Sequence, residues 1–154
     1  ASDKYLLETF EKLSTLGKSL SVLLNPGEIF ISIAGSVGKP IITKIKCCIH
    51  DGFVYFQRLK LHPDYLFYIF IGGEAFKGLG KLGTQLNLNT ETISSIMIPT
   101  PPLKEQIAIS EYLDKATSKL DQTIKKIEEK IELLEEYKKS LIHHVVTGKV
   151  MVPA

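Results

Sequence analysis

IPTPPLKEQIAISEYLDKATSKLDQTIKKIEEKIELLEEYKKSLIHHVVTG, residues 98–148, decides the architecture of this chain. Pro99, Pro101 and Pro102 disfavour helix just before them and favour it just after. From Leu103 to about Thr147 neither proline nor glycine occurs, and Gly148 supplies a stop. Such a helix runs over roughly 60 Å at about 1.5 Å per residue. Within it Leu113, Leu120, Ile127, Leu134 and Leu141 recur every seventh residue. Thr117, Ile124, Ile131, Lys138 and Val145 form a second row between them. Spacings that alternate between three and four make a heptad seam, and a narrow apolar seam of this length calls for a partner helix. That partner is a second copy of the chain or another segment of a longer parent. Thr117 and Lys138 interrupt the second row and either fix register or, for Lys138, snorkel to solvent at the seam edge.

Upstream of the prolines the pattern changes. EIFISIAG (28–35), KPIITKIKCCIH (39–50) and DGFVYFQRLK (51–60) read as strands, broken by Asn25-Pro26-Gly27, Gly35-Ser36, Gly38 and Asp51-Gly52. Residues 1–16 have helical spacing, as do 63–76, where Tyr65, Ile69 and Phe76 fall near one face and Gly72-Gly73 interrupts. KGLGKLGTQLNLNTETISS, residues 77–95, reads as an exposed loop, and SSIMIP, residues 94–99, as a last short strand. The fold class is α+β: a small mixed α/β domain over residues 1–102, a long coiled-coil helix over 103–148 and a tail over 149–154.

With 154 residues, 44% of them hydrophobic and 23% charged, one modest domain plus an appendage is expected. No stretch approaches the roughly 18 apolar residues of a membrane span, and ASDKYLLETFEKL at the start does not resemble a signal peptide. A cytoplasmic location is the expectation. The neighbouring Cys47 and Cys48 point to opposite faces of a strand and cannot readily bond each other. With no further cysteine and four histidines at unrelated spacings, no metal site is expected. The net charge is +2: residues 1–102 hold ten Lys and Arg against eight Asp and Glu, and residues 103–154 nine of each.

No active site emerges. GSVGK, residues 35–39, has two residues between its glycines where a phosphate-binding Walker loop has four, and Pro40 follows the lysine where Ser or Thr is needed. His143 and His144 suit the negative end of a helix dipole, and the Glu-Glu and Lys-Lys pairs of KIEEKIELLEEYKKS describe a solvated face. Recognition remains. Ser36, Lys39, Lys44 and Lys46 surround a glycine turn, where backbone amides and lysines suit phosphate. Lys77, Lys81, Thr84, Gln85, Asn87 and Asn89 cluster in a second loop, and Asn or Gln can bond adenine bidentately in the major groove. Taken alone, Gln85 to Asn89 are better explained by ordinary turn chemistry.

Three segments in order resemble the specificity subunits of type I restriction-modification systems. They are NPGEIFISIAGSVGKP (25–40), GTQLNLNTETISSIMIPTPPLKEQIAISEYLD (83–114) and KKSLIHHVVTGKV (138–150). The resemblance implies a target recognition domain followed by a spacer helix. It also implies double-stranded DNA as ligand, read as one half of a bipartite site. Family members usually carry two such units whose helices pack antiparallel and hold the two domains a fixed distance apart. Modification subunits bind this scaffold and methylate adenine with S-adenosylmethionine, and restriction subunits join through them. The specificity subunit itself catalyses nothing and holds no cofactor. Family domains usually begin some dozens of residues earlier, so the chain is expected to be a fragment or a short, half-sized member that dimerises. A coiled-coil adaptor with a small α/β head and no DNA contact is the competing class, and a recognition domain fused to a methyltransferase is the third.

Overall fold

A computed structural model describes residues 4–34, 37–77 and 88–152. Its contacts divide the chain into two compact units, residues 1–113 and 114–154. The mixed α+β class expected from the sequence is observed. The first unit is built on a sheet of four strands, in the order β1 (Tyr5–Leu6), β4 (Pro40–Thr43), β3 (Ile29–Ser32), β6 (Phe53–Tyr55). β1 lies parallel to β4, with Tyr5 opposite Ile42, while β3 runs antiparallel to both β4 and β6. β2 (Val22–Leu24) and β5 (Cys47–Ile49) form a separate antiparallel pair.

All four residues of β3 are buried, which explains why its sequence lacks polar alternation. Ile29 and Ile31 point into one core with Ile42, Val54, Leu66, Phe67, Phe70, Leu88 and Ile93. Phe30 points the other way and joins Leu24, Cys47 and Ile49 in a second. Helix α2 (Pro63–Ile71) covers the first core with Leu66, Phe67 and Phe70. Tyr65 is buried too, but Ile69 and Phe76 are only half-buried, so the packed face is rotated from the one the spacing suggests. α2 ends at the glycine pair, and Gly73 takes a positive φ of 75° before a single 3-10 turn over Glu74–Phe76.

Four local expectations are corrected. Residues 1–16 are not a helix. Lys4 and Leu6 spend their carbonyls on the amides of Ile42 and Lys44, so the segment starts as an edge strand, and only Thr15–Ser19 (α1) is helical. Leu7, Phe10, Leu13 and Leu16 are exposed. KPIITKIKCCIH is two strands in two sheets, because the Thr43 hydroxyl bonds both the amide and the carbonyl of Ile45 and bends the chain between them. Residues 77–95 do not all form an exposed loop: Leu88 and Ile93 are buried, and Thr90–Ser94 is a helix, α3. SSIMIP is accordingly not a strand. It begins at the end of α3 and runs, unpaired, into prolines that lack the donors a ladder needs.

Helix α4 spans Leu103–Val146 as the sequence indicates. Gly148 ends it with φ 71°, as its amide bonds the Val145 carbonyl and the Lys149 amide bonds that of His144, the paired bonds of a Schellman stop. The first turns of α4 belong to the first compact unit and are tied to it by a side chain. Gln106 is 4% exposed. Its Oε1 accepts from the His62 amide at the start of α2 (2.8 Å), and its Nε2 donates to the Pro101 carbonyl (2.8 Å). One bond accepts and the other donates, so the orientation of the amide is determined. Ser110, one turn on, is also buried and returns its hydroxyl to the Gln106 carbonyl. The Tyr65 hydroxyl completes the junction by donating to the Pro99 carbonyl.

Replacing Gln106 with Leu keeps the volume but orphans the His62 amide and the Pro101 carbonyl, at roughly 1–3 kcal/mol for each buried group. Urea unfolding of Gln106→Leu should therefore show a lower midpoint than the unsubstituted chain, whereas an unchanged midpoint would show that the amide holds nothing together.

Candidate functional site

The two loops singled out by sequence are only partly within the described residues. Ser36, Lys81, Thr84, Gln85 and Asn87 lie outside them. The first loop joins β3 to β4. There the Gly38 amide donates to the Ser32 carbonyl and the Ser32 amide to the Lys39 carbonyl, so the glycine turn closes a hairpin and spends the Gly38 donor within it. Gly38 has φ 85°, which strains any other residue, and a Cβ there would stand 3.0 Å from the Phe76 ring, which would have to shift to admit it. Lys39 is half-buried, while Lys44 and Lys46 on the bend beyond β4 are exposed. The Lys44 ammonium stands 4.1 Å from the centre of the Tyr5 ring.

In the second loop Lys77 is exposed and pairs with Glu74 at 2.6 Å. Asn89 caps α3: its Oδ1 accepts from the Thr92 amide (2.7 Å) and hydroxyl (2.8 Å). The structure thus places Asn89 in helix capping, with its carbonyl oxygen already engaged. Lys44, Lys46 and Lys77 remain on the surface of the first unit.

The α4 residues expected to pair follow one stripe. Leu113, Thr117 and Val145 are half-buried, and Leu120, Ile124, Ile127, Ile131, Leu134, Lys138 and Leu141 are exposed. Leu133, Tyr137 and Ile142, outside the two heptad rows, are exposed as well and widen the apolar surface toward the C-terminal end of the helix. Extended backward by one heptad, the same rows reach Gln106 and Ser110, seven residues before Leu113 and Thr117. The sequence reading passed over these two because they are polar. The signal that marks Gln106 is its register: it is the polar residue at the head of the otherwise apolar row of Leu113, Leu120, Ile127, Leu134 and Leu141.

The interior of the first unit holds an ion pair that sequence reading did not find. Lys4 is 9% exposed and sits 2.7 Å from Asp64, with its ammonium about 5 Å from the rings of Tyr5, Phe67 and Tyr68. The Tyr5 hydroxyl donates to the same carboxylate at 2.9 Å. Burial pushes the Asp64 carboxyl up, but hydrogen bonds from Lys4 and Tyr5 and the nearby charges of Lys4 and His62 outweigh it and hold the group below the usual carboxylate range. This lysine is committed to the fold and unavailable to a ligand. Among the described residues no cluster could hold a metal ion, and no helix is long and apolar enough to cross a membrane.

A family model for the type I restriction modification DNA specificity domain matches residues 5–133. Among curated proteins the chain is similar to a putative type I restriction enzyme MjaX specificity subunit of Methanocaldococcus jannaschii, 34% identical over 137 residues, covering 81% of this chain and 29% of the relative. The type I restriction enzyme MjaVIII specificity subunit of the same organism is 31% identical over 129 residues, with coverage of 82% and 28%. Of solved structures, a chain from work on complex assembly and conformational transition of the type I R-M system superposes with a TM-score of 0.66 at 26% identity, over 79% of this chain and 31% of that one. The HsdS subunit from Thermoanaerobacter tengcongensis gives 0.51 at 26% identity, over 65% and 24%. The chain spans less than a third of the length of each of these.

The depressed Asp64 carboxyl makes stability depend on acid. A group whose folded pKa lies below its unfolded value contributes stability above the unfolded value, and that contribution is lost as pH falls through the folded one. Unfolding midpoints should hold above the ordinary carboxylate pKa of about 3.9 and fall below it. Asp64→Asn should be less stable at neutral pH, because it removes the carboxylate beside Lys4, and should lose less on acidification. An equal acid slope in both proteins would contradict this role for Asp64.

Proposed function

The chain belongs to the type I restriction-modification DNA specificity family, and from that premise we propose that it recognises one half of a bipartite DNA site and recruits modification subunits to it. The observation that carries this reading is the extent of the family match, residues 5–133, which runs through the globular unit and well into α4. Recognition and spacing are then carried by separate parts of one chain, and methylation of adenine is left to the partner subunits, with restriction subunits joining through them.

In this reading the lysines of the two loops, Lys39, Lys44, Lys46, Lys77 and Lys81, neutralise the DNA backbone, with Ser36 and Thr84 bonding phosphate oxygens. Gln85 and Asn87 read base edges. Asn89 caps α3, since its carbonyl oxygen is occupied by Thr92. The seam of α4, from Leu113 and Thr117 to Leu141 and Val145, pairs with an equivalent helix from a second copy or a second half of the parent chain. The pair acts as a ruler between two recognition domains. Its support is the exposed apolar surface from Leu120 to Leu141 in the single chain.

A ruler has a length that can be changed. Seven residues inserted between Ile124 and Leu134 keep the heptad register and add about 10 Å of helix. The full-length gene product carrying that insertion, expressed with its modification subunits, should methylate a motif whose half-sites are unchanged and whose gap is longer by up to about three base pairs at roughly 3.4 Å each. Methylation at the original spacing would refute the ruler. In the same assay Asn89→Ser, which keeps a capping oxygen, should leave the motif intact. A changed motif would return Asn89 to base reading.

A further inference from the structure

We propose a phosphodiester-binding pocket in the first unit, framed by Lys12, Lys18 and Lys46, that extends the grip on the DNA backbone from Lys46 of the first loop to two lysines outside both loops. The inference rests on the DNA-recognition reading above and adds a site to it. Three elements converge there: the segment between β1 and α1, α1 itself, and the bend between β4 and β5. They surround an open pocket of about 280 Å³. Its floor includes Leu23 of β2 and Cys48 of β5, which stand opposite each other in the two-stranded sheet.

The lysines carry the argument. Lys12, Lys18 and Lys46 are all exposed, and among the described residues none of them forms an ion pair or a ring contact. This sets them apart from Lys4, which is buried against Asp64, from Lys77, which is paired with Glu74, and from Lys44, which lies over Tyr5. Glu11 also lines the pocket, leaving three cations against one anion. Unpaired ammonium groups brought together at one opening repel one another, and an anion that bridges them relieves the repulsion. An open pocket with an apolar floor and a cationic rim favours a chain that lies across it, sugar on the floor and phosphate at the rim, over a small anion that must be enclosed. Of the three, only Lys46 is among the residues the sequence marked for DNA contact. Lys12 lies in the segment, residues 1–16, whose spacing suggested a helix, and Lys18 lies just beyond it.

The test is a salt titration of duplex binding by the full-length gene product with its modification subunits, comparing Lys12→Ala, Lys18→Ala, Lys46→Ala and the triple variant with the unsubstituted protein. Each lysine that neutralises a phosphate contributes about 0.9 to the slope of log affinity against log salt. The slope should fall by about that much per substitution and by nearly three in the triple variant, at unchanged melting temperature because the side chains are exposed. Lys125→Ala, on the exposed part of α4, should leave it unaltered. An unchanged slope in a triple variant whose parent binds DNA would overturn the pocket, and with it the phosphate contact of Lys46, and leave sequence recognition by the remaining loop residues standing. Displacement of the duplex by inorganic phosphate beyond that caused by chloride at equal ionic strength would also overturn it, in favour of a free-anion site. An unsubstituted protein that binds no duplex would overturn the recognition reading itself.

Discussion

One buried amide ties the long helix to the domain that precedes it. Gln106 accepts from the backbone of His62 and donates to the backbone of Pro101, so its two bonds fasten the first turn of α4 to the start of α2 and to the proline segment. Backbone groups cannot be changed by substitution, so the His62 amide and the Pro101 carbonyl depend on this side chain for these two bonds, while Tyr65 adds its own to Pro99. α2 in turn covers the main core, with Leu66, Phe67 and Phe70 packed on Ile29, Ile31 and Ile42. The helix that carries the heptad seam thus begins as part of the same packed unit as the sheet.

The long helix was legible in the sequence because its signals are local and repeated: prolines before it, a glycine after it and ten seam positions on two regular rows between. Strand β3 was legible for similar reasons, bounded by turn residues on both sides; β6 was marked only at its start by Asp51-Gly52 and ends at Tyr55 instead of running to Lys60, before a turn in which Arg58 takes a positive φ. Legibility failed where tertiary partners decide. Tyr5–Leu6 is a strand because β4 offers it an edge, and nothing in residues 1–16 records that edge. Asn89 reads equally well as a base-reading amide or a helix cap, and only the position of Thr92 decides how its oxygen is used. Gln106 is one more polar residue in a polar stretch until the carbonyl and amide that satisfy it are in place.

The lysines show the same limit in electrostatic terms. A small net charge of +2 conceals very different commitments. Lys4 is spent inside the fold and Lys77 is paired at the surface, whereas Lys12, Lys18 and Lys46 meet at one pocket with no ion pair among the described residues. Surface charge that is unpaired and convergent is the kind that a polyanion can use, because its neutralisation releases condensed counterions. Net composition could not distinguish these cases, since each is a matter of which side chains lie next to one another.

The central claim is that this family member selects DNA by sequence through two copies of a recognition unit held apart by paired helices. The most direct measurement is selection from a pool of random duplexes by the full-length gene product assembled with its modification subunits, followed by sequencing of the retained DNA. Enrichment of two short fixed motifs separated by a gap of constant length is the expected result. Retention of the pool without sequence preference, or no retention, would contradict the claim.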